Sequence, residues 1–339
     1  MLRISRVIAA ALGVLAVYGL AIGPTAAQTP RKVTVVMDWI PSQPQHFAYQ
    51  LAKAKGYYAE NGLDVTVQGS RGSNLVLQLV VAGQAEFGNI SAPALVQAVA
   101  KQNAPAKMVG TYFQKDTTAV AWFQSSGIKS VKDFEGKTIG IVPGTLQFVL
   151  WPSFAKAAGF DASKVRLINS DFQLIWSQWA TKRFDAIGNF LLGGTDAERF
   201  EKEGETVKAV GLSDFLPLVG HGIVASNALI EKEPATVKGF VKATQKAWAY
   251  MAQQPQEAAR EASQVIAKNV ENAAPAASIE RYSLSVIPTR MMSPSTRGKP
   301  IGWSNPSDWE KMVDVLAETG DYPKKPSVSD LMTNRFIEE

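Results

Sequence analysis

Short β-branched segments alternate with helical segments between residues 33 and 226, and this alternation constrains the fold more than any other feature of the sequence. Residues 33–37 and 63–68 have the composition of strands, and residues 45–54 between them have the spacing of a helix. The alternation continues to a last predicted strand at residues 222–226. Strands that alternate with helices predict an α/β fold with largely parallel sheets.

The chain changes character after Pro234, where the pattern becomes helical. Pro152 is a local exception earlier in the chain, because it falls inside a helix predicted over residues 146–158. That helix should therefore be kinked or begin later. The main helices predicted after Pro234 cover residues 235–253, 255–268 and 307–319.

A chain of 339 residues usually outgrows a single core, so we expect two lobes. If the C-terminal helices return to the first strand-rich part, residues 31–116 and 223–339 form lobe 1 and residues 117–222 form lobe 2. The chain then crosses twice between the lobes, near residues 115–119 and 218–222. Two crossings make a hinge, and ligands of such proteins bind in the cleft between the lobes.

The N-terminus has the order of a secretory signal. Arg3 and Arg6 precede an uncharged apolar run over residues 7–22, and residues 23–27 supply a helix breaker and small side chains. A membrane anchor is the alternative, but the run is shorter than the roughly 20 residues that span a bilayer. We predict a signal peptide at residues 1–27, cleavage after Ala27 and a periplasmic protein.

Composition excludes several kinds of function. Thirty-five Lys and Arg against 30 Asp and Glu give a net charge of +5 with no basic run, which argues against nucleic acid as a partner. Without cysteine there are no disulfides, thiolate metal sites or Cys nucleophiles. The only histidines are His46 and His221, and the sequence places no Ser or Asp partner beside either. No P-loop, GxSxG or HExxH motif occurs, so we expect no enzyme, metal or cofactor.

Polar and aromatic residues that follow predicted strands are the candidate ligand contacts, because open α/β sheets present sites there. Trp39 offers a stacking face, with core packing as its alternative, whereas Trp176 and Trp179 read as packing. The loops at Gly72 and Gly144 precede helices whose N-termini suit an oxyanion, and plain helix capping is the alternative. The full candidate set is Trp39, Gln43, His46, Gly72, Ser73, Asn89, Ser91, Gly144, Thr145, Asn189 and Phe190.

Several motifs resemble the solute-binding proteins of ABC importers. They are Asp38-Trp39-Ile40-Pro41 followed by His46, AKAKGYYAENGLDV at residues 52–65, LVVAGQAEFG at residues 79–88, and VSDLMTN at residues 328–334. The chain looks most like the branch that takes up pyrimidine precursors of thiamine, and the nitrate, taurine and aliphatic-sulfonate binders are close relatives. The likeness covers nearly all of residues 31–339.

The resemblance implies a two-lobed periplasmic-binding-protein fold of type II. It further implies a monomer that delivers one small-molecule solute to an ABC permease and its ATPase. It also implies that the candidate residues before Phe190 line the cleft. A planar heteroaromatic such as a pyrimidine, stacked on Trp39 with help from Phe190, is the preferred ligand. A small oxyanion is the alternative. A related pyrimidine synthase is less favoured, since it carries a cysteine-rich iron motif, and a solute sensor is a further option.

Overall fold

The computed structural model describes residues 29–338 except 40, 42, 195, 270–275, 320 and 321. The predicted signal peptide at residues 1–27 lies outside this part of the chain. None of the helices within it is both long enough and apolar enough to cross a membrane.

The described residues form ten strands in two mixed sheets of five. In chain order the strands are β1 (Arg31–Met37), β2 (Leu63–Gly69), β3 (Phe87–Ser91), β4 (Ala106–Thr111), β5 (Thr118–Phe123), β6 (Thr138–Ile141), β7 (Arg166–Asn169), β8 (Ala186–Leu191), β9 (Val207–Gly211) and β10 (His221–Ser226). The strand predicted at residues 222–226 thus begins one residue earlier.

Helices connect and cover the strands. They are α1 (Phe47–Ala54), α2 (Ser73–Val81), α3 (Ala92–Gln102), α4 (Leu146–Val149), α5 (Trp151–Ala158), α6 (Ile175–Ala180), α7 (Asp196–Lys202), α8 (Asn227–Lys232), α9 (Pro234–Gln253), α10 (Pro255–Asn269), α11 (Ala276–Ser285), α12 (Ile287–Arg290), α13 (Pro306–Thr319) and α14 (Val328–Leu331). The predicted break at Pro152 is confirmed, because α4 ends at Val149 and α5 begins at Trp151 with Pro152 in its first turn.

The two sheets repeat one topology. The first has the order β2-β1-β3-β10-β4 and the second the order β7-β6-β8-β5-β9. In each sheet the first three strands are parallel, and the fourth runs antiparallel to both of its neighbours. That antiparallel strand is the one by which the chain enters the sheet from the other lobe. The predicted two-lobed α/β architecture is therefore present.

Alternation along β1 shows how the first sheet is covered on both faces. Val33, Val35 and Met37 belong to a buried cluster with side chains of α1 and α9, whereas Val36 packs in a cluster with α2, α3 and α13. Successive side chains of a strand point to opposite faces, so one strand contacts both helical layers. The C-terminal helices α9 and α13 thus return to the first lobe.

Two connecting segments join the lobes, residues 112–117 after β4 and residues 212–220 before β10. The proposed lobe boundary at 116/117 falls within the first segment. The boundary at 222/223 falls two residues inside β10, because His221 and Gly222 already pair with β3 and β4. His221 is therefore part of the first sheet.

Residues of α11 in the first lobe also contact residues of the second lobe directly. Arg281 of α11 pairs with Glu198 of α7 at 2.7 Å and with Glu201 of α7 at 2.5 Å. The next residue, Tyr282, packs so closely on Gly193 that a Cβ there would lie 2.5 Å from its ring. The structure therefore has its lobes drawn together.

Replacing Arg281 with Gln is expected to shift the protein towards a more open arrangement of its lobes. Partly exposed ion pairs contribute about 0.2–1 kcal/mol each, so the closed population should fall a few-fold. Small-angle scattering should show a larger radius of gyration for R281Q at low salt and a smaller difference at about 1 M salt.

The matched control is Lys164→Gln, which removes the ion pair between Lys164 and Glu135 within the second lobe. An equal expansion of the K164Q protein would contradict a specific role for the pairs of Arg281.

Candidate functional site

A cleft of about 350 Å³ lies between the lobes. This volume is at the lower end of the roughly 300–1,000 Å³ of small-molecule sites. Residues of both sheets and of the first connecting segment line it. They are Asp38, Trp39, Gln45, Gly72, Ser73, Ser91, Phe113, Thr117, Thr118, Thr145, Leu146, Gln147, Phe172, Trp176, Asn189, Phe190, Leu191, Leu192, His221 and Tyr282.

Asp38 is the polar centre of the wall formed by the first lobe. It follows β1 directly, and its Oδ1 lies 3.2 Å from His46 Nε2. Its Oδ2 accepts a hydrogen bond from Ser73 Oγ at 2.8 Å and lies 3.1 Å from His221 Nε2. The backbone is tied in as well, because the Gly72 amide donates to the Asp38 carbonyl at 2.7 Å. The turn before α1, the start of α2 and the start of β10 thus meet at one carboxylate.

This environment keeps the carboxylate of Asp38 ionised. Burial acts to raise its pKa, but the charge and hydrogen bond of His221 and the hydrogen bond of His46 outweigh it and lower the pKa. For His221, burial acts to lower the pKa, and the charge and hydrogen bond of Asp38 reverse the direction and raise it. The cleft therefore contains an ionised carboxylate that is already paired with a histidine of the protein, His221.

Aromatic rings provide most of the apolar wall. The Trp39 ring of the first lobe meets the Phe172 ring of the second at 5.6 Å in an edge-to-face arrangement. Trp176 lies 6.1 Å from Phe190, and both line the cleft. The expectation that Trp176 only packs is wrong, whereas Trp179 does pack, stacked 4.0 Å from Phe123. A flat ligand would find aromatic faces on both lobes.

Seven of the predicted contacts line this cleft. They are Trp39, Gly72, Ser73, Ser91, Thr145, Asn189 and Phe190. The sequence placed them among the candidate contacts because they follow predicted strands, and the ends of these strands face the other lobe. Their role in binding stays a prediction.

The other four predicted contacts, Gln43, His46, Asn89 and Gly144, are not among the described residues that line the cleft. His46 is fully buried and bonds to Asp38, so it supports the cleft wall from behind. Asn89 is also buried, and its Oδ1 accepts a hydrogen bond from Tyr49 at 2.9 Å. Gly144 adopts φ +82° in the turn before α4, a conformation that glycine takes easily. Gln43 lies at the start of the turn before α1, and its backbone carbonyl accepts a hydrogen bond from the His46 amide.

Sequence reasoning missed Asp38, His221 and Gln147 as cleft residues. The motif around Asp38 was the available signal, since the residue directly after a strand is well placed for a site. His221 had none, because 183 residues separate it from its partner Asp38. Gln147 lies in the first turn of α4, where an amide gives no distinctive pattern.

Among the described residues, no group of three His, Cys, Asp or Glu side chains is placed to hold a metal ion.

Two lobes of repeated topology around a shared cleft define the fold of periplasmic binding proteins. Solved structures agree on this fold. The aliphatic sulphonate binding protein SsuA of Escherichia coli matches 88% of this chain and 96% of its own with a TM-score of 0.67 at 15% identity. The nitrate-binding protein NrtA of Synechocystis PCC 6803 matches 91% of this chain and 87% of its own with a TM-score of 0.66 at 12% identity.

The chain belongs to the NMT1/THI5-like family, whose model matches residues 43–258. It is 28% identical to the riboflavin-binding protein RibY of Chloroflexus aurantiacus over 93% of this chain and 88% of the relative. It is 24% identical to a formylaminopyrimidine-binding protein of Halalkalibacterium halodurans over 88% of each chain. A 4-amino-5-hydroxymethyl-2-methylpyrimidine phosphate synthase of Legionella pneumophila is 26% identical over 67% of this chain and 71% of its own. The resemblance seen in the sequence is confirmed.

Replacing His221 with Gln is expected to reduce the free energy of unfolding by about 1–3 kcal/mol near pH 6, because a charged hydrogen bond to Asp38 is lost. The raised pKa of His221 means that its contribution is complete below its ordinary value of about 6.5 and disappears as the pH rises through the folded value. Chemical unfolding at pH 6 and pH 9 should therefore show a larger difference between wild type and H221Q at pH 6. A difference that grows with pH would contradict the charged pair.

Proposed function

We propose that this protein is the solute-binding component of an ABC importer, and that it captures an uncharged heteroaromatic solute of the pyrimidine type by closing its lobes. One observation carries the choice of solute. The cleft presents the ionised carboxylate of Asp38 between aromatic walls, and its described lining residues include no Lys or Arg. The preference for a pyrimidine rests on this chemistry together with the names of two relatives.

Charge separates the two classes of ligand. A sulfonate or nitrate would approach a carboxylate whose charge is already balanced by His221, and the described lining residues offer it no Lys or Arg as a partner. An amino group on a heteroaromatic ring would instead donate a hydrogen bond to the same carboxylate. Hydrogen bonds to charged acceptors are among the stronger ones, so Asp38 favours a ligand with N–H donors.

The hydroxyl groups expected to cradle an oxyanion are already engaged. Ser73 donates its hydroxyl to Asp38 at 2.8 Å, and Thr145 donates its hydroxyl to the Val142 carbonyl at 2.7 Å. Neither is therefore a free donor for an anion. The helix that follows Thr145 is α4, whose four residues give only a small dipole. These contacts argue against the oxyanion alternative.

Ligand capture by closure follows from the placement of the walls. Trp39 and Asp38 belong to the first lobe, whereas Phe172, Asn189 and Phe190 belong to the second. A ligand that contacts both sets gains all of its interactions only when the lobes are close. Binding then shifts the population towards the closed state by its differential affinity for that state.

The relatives support a binding role rather than a catalytic one. The relatives named above include a riboflavin-binding and a formylaminopyrimidine-binding protein, and one synthase. This chain has no cysteine for the iron motif that the resemblance assigns to such a synthase. We therefore propose that it acts in the periplasm, after export through residues 1–27, and presents its solute to a permease and ATPase.

A thermal-shift screen of the purified protein tests the class of solute. The probes are 4-aminopyrimidines, riboflavin, thiamine, nitrate, taurine and alkyl sulfonates. Ligand at 100 times its dissociation constant stabilises the folded state by about 2.7 kcal/mol, so binding should raise the melting temperature by several degrees. A shift with aminopyrimidines or riboflavin supports the proposal. Shifts with sulfonate, taurine or nitrate alone would overturn the choice of solute.

Replacing Trp39 with Ala is expected to weaken binding of the solute found in the screen by about 1–3 kcal/mol, since a stacking face is lost. Calorimetric titration measures the dissociation constant. The matched control is Trp303→Ala, because Trp303 is also half-buried but lines a different surface groove. Equal affinities for W39A and wild type would remove Trp39 from the site.

A further inference from the structure

Gln147 is a buried polar residue in the wall of the second lobe. It lies in α4, is 4% exposed and lines the cleft. Its Nε2 donates a hydrogen bond to the Phe190 carbonyl at 3.3 Å. The described residues provide no donor to its side-chain oxygen. An amide oxygen without a donor, in a residue that lines the cleft, can accept a hydrogen bond from a ligand.

The orientation of this amide is fixed by its surroundings. The Phe190 carbonyl belongs to β8, where Phe190 pairs with Ala119 of β5, so the carbonyl has a set position. A carbonyl oxygen only accepts, and therefore the NH₂ group of Gln147 must face it. Thr145 caps α4 by accepting the Phe148 amide at 3.4 Å, which holds the helix and Gln147 in place. The side-chain oxygen is thus directed away from Phe190.

Asp38 provides the corresponding acceptor on the first lobe. Its carboxylate has about four acceptor positions, and His46, Ser73 and His221 occupy three of them. One position remains for a ligand. A solute in the closed cleft therefore meets an acceptor on each lobe.

We propose that Gln147 is a specificity-determining residue that accepts a hydrogen bond from a ring-bound N–H of the solute, while Asp38 accepts one from another edge of the same ring. This inference rests on the proposed function. The pair of acceptors selects amino-substituted heteroaromatic rings over rings with a keto group at the same position. A keto oxygen would face the Gln147 oxygen, so two acceptors would meet without a proton between them.

The test couples one protein change to one ligand change. The probes are 2,4-diaminopyrimidine and its two monoamino analogues, and the proteins are wild type and Gln147→Leu. Removing the amino group that contacts Gln147 should weaken binding to wild type about tenfold, as expected for one buried hydrogen bond. The same removal should change binding to Q147L less than twofold, whereas removal of the other amino group should still weaken it.

A purely structural role for Gln147 predicts a different pattern. Loss of its bond to Phe190 would then weaken all three probes by the same factor in Q147L, and this additive result would overturn the inference while leaving the proposed function intact. Failure of all probes to bind wild type, together with failure of riboflavin and 4-aminopyrimidines in the screen, would overturn both. Gln124→Leu is the matched control, since Gln124 is exposed on the second lobe outside the cleft and should bind like wild type.

Discussion

The carboxylate of Asp38 organises the interior of the cleft. Burying a charge is costly unless it is paired and hydrogen-bonded. Here the carboxylate is paired with, or hydrogen-bonded to, His46, Ser73 and His221. These partners come from the turn before α1, the start of α2 and the start of β10, so one side chain fixes three elements relative to β1. The network continues through Ser73, whose hydroxyl oxygen also accepts the Ser91 amide at 3.2 Å. The shape of the first-lobe wall therefore depends on an ionised aspartate.

This arrangement also supports the proposed choice of solute. A helix N-terminus attracts negative charge, and the start of α2 has its anion within the protein, in Asp38. Two of the predicted ligand contacts, His46 and Ser73, thus form hydrogen bonds with a carboxylate of the protein. One fold hosts different ligand chemistries because the side chains at its strand ends decide what the cleft accepts.

Local signals predicted the architecture well. Alternating strands and helices, the break at Pro152 and the helices after Pro234 are all encoded by nearby residues, and the structure has them. Longer-range juxtapositions were not predictable in the same way. Trp176 and Trp179 lie on one helix and look equivalent in sequence, yet one lines the cleft and the other stacks on Phe123. The meeting of Asp38 with His221 depends on β10 entering the first sheet beside β3, which no local pattern encodes.

The position of β10 has a consequence for the order in which the chain acquires its structure. The second sheet takes all of its strands from one continuous stretch, residues 118–211, whereas the first sheet lacks an inner strand until residues 221–226 are available. During synthesis, β3 and β4 therefore have no partner between them while the whole second lobe is being made. Pairings between residues so distant in sequence carry a large loop-closure entropy and form slowly. The first lobe, although it begins the chain, is thus completed after the second lobe has all of its strands.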